Sequence, residues 1–323
     1  MSGIACAAGH GCAPDRDPGQ KTGIAAATVE ASPRVVASRL IGEGAPSRPL
    51  HAVQTLDVGR EPRRLLRYSA RRGARQRVHL RGGGGSDVEI AGRRVYTQQE
   101  VVNEAWFEIE VMNADADRLD CELRFERADT LDMEHFDPKR TVPRHTLDRL
   151  PGHAYRISMD RRGFVTMPAL ELPPEIDRDT DRDLFWSILE DAAWSVVALP
   201  AEPVGARARW RITDEDRGRM PGMVGSLSTA IELVSVDGDR LELSVARGFE
   251  IPPQAMSMTS AGISGVSRVE FSSKGRAVID LALLQPVQWQ TLTRFVMDGV
   301  WIEPDEQYPL RIVGQGQETL AAK

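Results

Sequence analysis

Ala230-Ile231-Glu232-Leu233-Val234-Ser235-Val236, then Asp237-Gly238-Asp239, then Arg240-Leu241-Glu242-Leu243-Ser244-Val245 is the stretch whose reading decides the fold. On both sides of the turn, apolar and polar residues alternate with period two, the pattern of a strand that buries one face and solvates the other. Asp237-Gly238 between the two runs supplies the backbone freedom that a tight hairpin needs. The same pattern recurs outward along the chain. Trp106 to Val111 alternates, an acidic turn from Asn113 to Asp117 reverses direction, and Leu119 to Phe125 answers in the same period. Tyr155 to Met167 reads as a hairpin turning at Asp160 to Gly163. Ser267 to Phe271 and Gly275 to Leu281 read as a further strand pair, and Thr291 to Trp301 and Pro309 to Thr319 close the domain.

Nearer the N-terminus, Arg64 to Tyr68 and Arg77 to Leu80 read as strand fragments, and Val88 to Ile90 as another. The four glycines Gly82 to Gly85 read as a flexible loop between them. They are not a phosphate loop, because no Lys-Ser/Thr follows to open a helix. One segment has helical spacing: Leu184, Phe185, Ile188, Leu189, Ala192, Ala193 and Val196, with Asp181 or Asp183 as cap and Pro200 as stop. The expected fold is mainly β (α+β), a curved antiparallel sheet or half-barrel with one central helix lying on it. Residues 1–48, rich in Ala, Gly, Pro and Ser, read as a disordered leader; residues 49–323 form the β-rich domain, with any division into two sub-halves falling near 140–180.

Composition narrows the function classes. The chain has 323 residues, 41% of them hydrophobic, enough for a sizeable core. Its formal charge is −6, which gives no global positive field for nucleic acid or an anionic membrane. No apolar run is long enough for a membrane-spanning helix. Of 41 basic residues only Lys21, Lys139, Lys274 and Lys323 are lysine, a bias that a GC-rich genome explains as readily as function. Three cysteines, Cys6, Cys12 and Cys121, make no disulfide framework, and Cys121 reads as a small buried side chain.

Candidate sites are sparse. Ser2 to Gly9 surrounds Cys6 with small residues, like the tail of a lipoprotein signal in which the cysteine is lipidated. The basic and apolar regions of such a signal are missing, which a start codon assigned too far downstream would explain. On that reading the protein is on the periplasmic side of the cell envelope, held to a membrane only through Cys6; otherwise it is cytoplasmic. Asp177, Asp179, Asp181 and Asp183, and again Asn113, Asp115 and Asp117, imitate a calcium loop but lack its sixth-position glycine and twelfth-position glutamate, so they read as solvated turn acids. Glu134, His135, His145 and His153, with Asp137, form the one cluster that folding could assemble into a hydrolase or metal site, although no pair has metalloprotease spacing. Gly262-Ile263-Ser264-Gly265 lacks the last glycine of a nucleophile elbow. No catalytic residue and no cofactor is assigned. Trp106, Trp186, Trp194, Trp210, Trp289 and Trp301, with Met220, Met223, Met256 and Met258, either pack the core or line a hydrophobic cavity.

Leu199-Pro200-Ala201-Glu202-Pro203-Val204-Gly205-Ala206-Arg207-Ala208-Arg209-Trp210 resembles a phrase shared by uncharacterised bacterial secreted proteins and lipoproteins of a myxobacteria-like family, grouped as a domain of unknown function. Gly59 to Tyr68 is similar to that family's entry into its first strand, and Gly275 to Pro286 to its late Gly-to-Pro segment. The resemblance spans roughly residues 55–320. It implies an envelope address and a β-rich fold, and it brings no catalytic residue. Physically, the phrase starts a strand: Pro200 and Pro203 keep the backbone extended, Gly205 permits a turn, and Trp210 enters the core. The function expected is a non-enzymatic envelope protein whose β-rich domain binds a hydrophobic small molecule or a partner protein. The alternative is the enzyme built from Glu134, His135, His145 and His153.

Overall fold

The computed structural model describes residues 51–131, 152, 154–166, 195–216, 225–250, 263–303 and 306–322. They form twelve strands: β1 His51–Asp57, β2 Arg75–Ile90, β3 Arg93–Ala114, β4 Arg118–Leu131, β5 Ala154–Asp160, β6 Val165–Thr166, β7 Arg209–Asp216, β8 Gly225–Asp237, β9 Arg240–Glu250, β10 Ile263–Asp280, β11 Gln288–Glu303 and β12 Glu306–Ala322. All belong to one open antiparallel sheet in the order β1-β7-β8-β9-β10-β11-β12-β2-β3-β4-β5-β6. Two meanders, β2 to β6 and β7 to β12, are spliced where the last strand pairs with the second, from Leu310↔Ile90 to Ala322↔Val78.

The hairpins expected around Asp237 to Asp239, Asn113 to Asp117 and Asp160 to Gly163 are present as β8–β9, β3–β4 and β5–β6. Three other expectations need correction. Gly82 to Gly85 do not form a loop; they lie inside β2, paired with Glu318 to Gln315 of β12 on one side. A Cβ on Gly84 would sit 2.6 Å from the Gln315 carbonyl oxygen, and one on Gly316 would sit 2.7 Å from that of Gly83. These glycines are therefore sites of close backbone approach within a strand. Ser267 to Phe271 and Gly275 to Leu281 are not two strands: β10 runs unbroken through Lys274, and Gly275 serves the same purpose there, since its Cβ would meet the Gln290 oxygen at 1.8 Å. Arg64 to Tyr68 is not a regular strand, since only Arg64 makes a β-bridge, to Val204. Beyond that bridge, the Tyr68 N–H bonds to the Arg161 carbonyl in the β5–β6 turn. The stretch read as helical lies outside the described residues except for its last turn, where Ser195 and Val196 are in a turn and bend; there is no helix among the described residues. The leader, residues 1–48, also lies outside them.

The sheet is rolled, and two hydrogen bonds show it. The Trp210 indole on β7 donates to the Ala198 carbonyl at 2.9 Å, and the backbone N–H of the next residue, Leu199, donates to Arg162 in the β5–β6 turn at 2.7 Å. β7 is second in the sheet and β5 eleventh. Nine strand spacings of about 4.8 Å would separate them by roughly 43 Å in a flat sheet. Consecutive residues reach both because the ends of the sheet come together here.

Two irregular straps, residues 58–74 and 195–208, fasten this end. Tyr68 accepts no solvent: its hydroxyl donates to the Val197 carbonyl at 3.1 Å, its N–H reaches Arg161, and the N–H of Ser69 reaches Leu281 in the β10–β11 turn. Burial alone pushes the Tyr68 phenol far above its ordinary range. The straps also explain Gly205. The positive φ of the phrase falls on Arg207, at 68°, whereas Gly205 is needed for space, because a Cβ would lie 1.8 Å from the Arg60 carbonyl oxygen. Trp210 then enters the core fully buried, as its position in the phrase implies.

One contiguous core runs across this end, from Trp210 and Leu243 through Trp289, Leu320 and Leu80 to Phe107, Phe125 and Tyr155. Replacing Gly205 by Ala is expected to lower stability by about 3 kcal/mol, because strap backbone must move. Gly265→Ala, with nothing within 4 Å of the new Cβ, should stay within about 0.5 kcal/mol of the parent. Urea midpoints of the two variants measure the difference; equal midpoints would show that the straps yield.

Candidate functional site

The strand register puts one set of side chains on the inner face. On β12 every even residue from Leu310 to Ala322 points inward, and the pairings carry that face to Trp289, Thr291 and Phe295 on β11, to Phe271, Ser273 and Ala277 on β10, and to Leu243, Arg247 and Phe249 on β9. Towards the strapped end this face is the main core. Towards the other end it carries a second apolar cluster of Val266, Val269, Phe295, Met297, Leu310 and Ile312, with Phe249, Phe271 and Trp301 packed against it. A polar belt crosses the sheet between the two clusters.

The belt is buried. Arg247 and Glu318 are each 6% exposed, Ser273 3% and Thr291 1%. The Arg247 guanidinium lies 3.9 Å from a Glu318 carboxylate oxygen and 4.5 Å from the centre of the Trp289 ring. The charges reach each other across two intervening strands. Arg247 pairs in register with Ser273, and Glu318 with Thr291, so the two hydroxyl residues lie between the charged ones. Thr291 faces Gly275, whose Cβ would lie 2.7 Å from the Thr291 methyl, and Glu318 faces Gly82.

Ser273 Oγ, Thr291 Oγ1 and Trp289 Nε1 are buried in the belt without a hydrogen-bond partner among the described residues. Each such group loses its water on burial at a cost of about 1–3 kcal/mol unless something replaces it. The ion pair would not survive here by Coulomb attraction alone either, because desolvation of two charges is of comparable size. The belt thus brings an opposite charge pair and hydrogen-bonding side chains together in one buried layer.

The other candidates separate. Glu134, His135, Asp137, His145 and His153 lie outside the described residues, as do Cys6, the Asp177 to Asp183 series, Trp186, Trp194 and the four methionines Met220, Met223, Met256 and Met258. Among the described residues no group of three His, Cys, Asp or Glu side chains could hold a metal ion, and no helix is long and apolar enough to cross a membrane. Asp115 is a turn acid: its carboxylate accepts from the backbone of Asp117 and Arg118 at 2.9 and 2.7 Å. Ile263 to Gly265 begin β10, so Ser264 is on a strand and not at a strand-to-helix elbow. Trp106 faces outward, stacked on His79 at 4.5 Å and covered by Arg127 at 4.8 Å, whereas Trp210 and Trp289 are core and Trp301 borders the second cluster. Cys121 is free and buried; desolvation, with a smaller contribution from the Asp120 charge, pushes its thiol up to about 12.

Arg247 and Glu318 were not singled out by spacing, yet a signal exists. Arg247 continues the inward parity of Leu241, Leu243 and Val245, and Glu318 that of Leu310, Ile312 and Leu320. A charge in the buried register of an otherwise alternating strand is the mark that finds them.

No family model matches the sequence, and no curated protein matches it.

Removing one member of the buried pair takes a countercharge from the other in a dry layer. Arg247→Met or Glu318→Leu alone should cost about 3 to 5 kcal/mol, and the double variant should regain most of it; urea unfolding of all four chains gives the coupling. Stability should also fall at high pH. In the unfolded chain the Cys121 thiol ionises near its ordinary 9.0, in the folded chain near 12. The folded state thus holds the proton over that interval, and stability present below pH 9 declines through it at up to about 1.4 kcal/mol per pH unit. Cys121→Ala should flatten, without abolishing, the alkaline slope, since Tyr155 is also pushed up to about 12 by burial.

Proposed function

We propose that this is a non-enzymatic cell-envelope protein whose rolled sheet, a half-barrel in shape, binds a hydrophobic ligand on its inner face. The observation that carries the reading is the second apolar cluster, continuous in register with the main core yet separated from it by a polar belt. A domain stabilised by one core has no need of a buried charged layer dividing that core in two. A ligand site, by contrast, joins apolar walls to a few convergent polar groups. The envelope address rests on the residues around Cys6 and on the family resemblance of the 199–210 phrase.

One measurement reads both parts: native mass spectrometry of the protein isolated from membrane and soluble fractions of its host. Covalent lipid mass on a chain beginning at Cys6 supports the anchor. A non-covalent apolar adduct, lost in Phe295→Asp on the inner face but kept in Leu292→Asp on the exposed outer face, supports the ligand. An unmodified, adduct-free chain in the soluble fraction overturns both.

A further inference from the structure

The belt has the chemistry of a headgroup site, and its composition narrows the head. This deepens the proposed function and rests on the reading that the inner face takes a hydrophobic ligand. Trp289 Nε1 is a donor only, and the hydroxyls of Ser273 and Thr291 can each donate; none of the three has a partner among the described residues, and all are at least nine-tenths buried. Ligand atoms that satisfy them must include acceptors. Charge then decides between two acceptor-bearing heads. Among the described residues the charged side chains of the belt are Arg247 and Glu318, 3.9 Å apart, and they sum to zero. A carboxylate added to this layer would leave an uncompensated negative charge between two apolar clusters, a strongly unfavourable arrangement. A carbonyl brings acceptors and no charge.

We infer that the belt formed by Arg247, Ser273, Trp289, Thr291 and Glu318 binds the neutral carbonyl head of an acylated molecule, an ester or amide, with its aliphatic chain lying along the second apolar cluster. A free long-chain acid is the disfavoured version of the same ligand. The two hydroxyls carry a distinctive signature. In the ligand-free protein each is a buried group without a partner among the described residues, so replacing it with an apolar group of similar shape removes a desolvation cost and stabilises the fold. In the complex the same replacement removes a hydrogen bond. A hydroxyl serving only the fold would not produce these opposite effects.

The test is equilibrium dialysis of the full chain against three ten-carbon probes at neutral pH: methyl decanoate, sodium decanoate and decane. The ester should be held at least about tenfold more tightly than the carboxylate. Ser273→Ala and Thr291→Val should each weaken ester binding roughly 3- to 10-fold, leave decane binding unchanged and raise the urea midpoint of the free protein. Tighter binding of decanoate than of the ester, equal retention of ester and decane, or ester binding indifferent to both substitutions would overturn the headgroup assignment while leaving the hydrophobic-ligand reading in place. Retention of none of the three probes would overturn that reading as well, and the headgroup site with it.

Discussion

The rest of the structure depends on the closure of one end of the sheet by hydrogen bonds to strap backbone that never enter a strand ladder. Ala198 and Leu199 hold β7 and the β5–β6 turn within one residue of each other, though they are nine positions apart in the sheet. Tyr68 and Ser69 do the same for the β5–β6 and β10–β11 turns. Without these straps the antiparallel ladder would have no reason to bring its two meanders onto a common core, because ladder bonds fix only nearest neighbours. The straps in turn require residues that let backbones touch, and Gly205 beside Arg60 is the clearest of them.

Rolling the sheet gives its two faces different tasks. The outer face is laced with exposed ion pairs, such as Arg77 with Glu126 and Arg124 with Glu122, which add little stability individually but keep a broad β surface charged. The inner face is apolar at the strapped end, polar across the middle and apolar again beyond. The glycines of β2, β10 and β12 fall at the middle, where strands must approach closely and bend. Bending and belt thus occupy the same level of the sheet, and the side-chain-poor stretch of β2 and β12 lies beside the buried charges.

Much of the strand content was legible in the sequence. The β8–β9 hairpin follows from strict alternation around Asp237-Gly238-Asp239, and Asn113 to Asp117 marked the β3–β4 turn for the same reason: acids and amides that bond their own backbone favour reversal. The errors also have a common cause. Gly82 to Gly85 and the Ser272-to-Gly275 region look like breaks because glycine and serine are poor strand formers in isolation, yet pairing on both sides holds them in β2 and β10. Arg64 to Tyr68 alternates like a strand but finds turns to bond instead of a partner strand. Of the candidate site residues, Cys121 and Trp210 went where the pattern put them, while the buried pair was hidden by its ordinary composition.

By itself the sequence determined most of the extended segments and the apolar face of each, because alternation is a local property that a strand carries alone. It also determined the net charge and the main turns. Only the tertiary structure decided that β12 pairs with β2, that the sheet's ends meet through the straps, and that Arg247 lies against Glu318 and Trp289. Those contacts join residues far apart in the chain. Their energy comes from burial and closure shared among many strands, so no single segment encodes them.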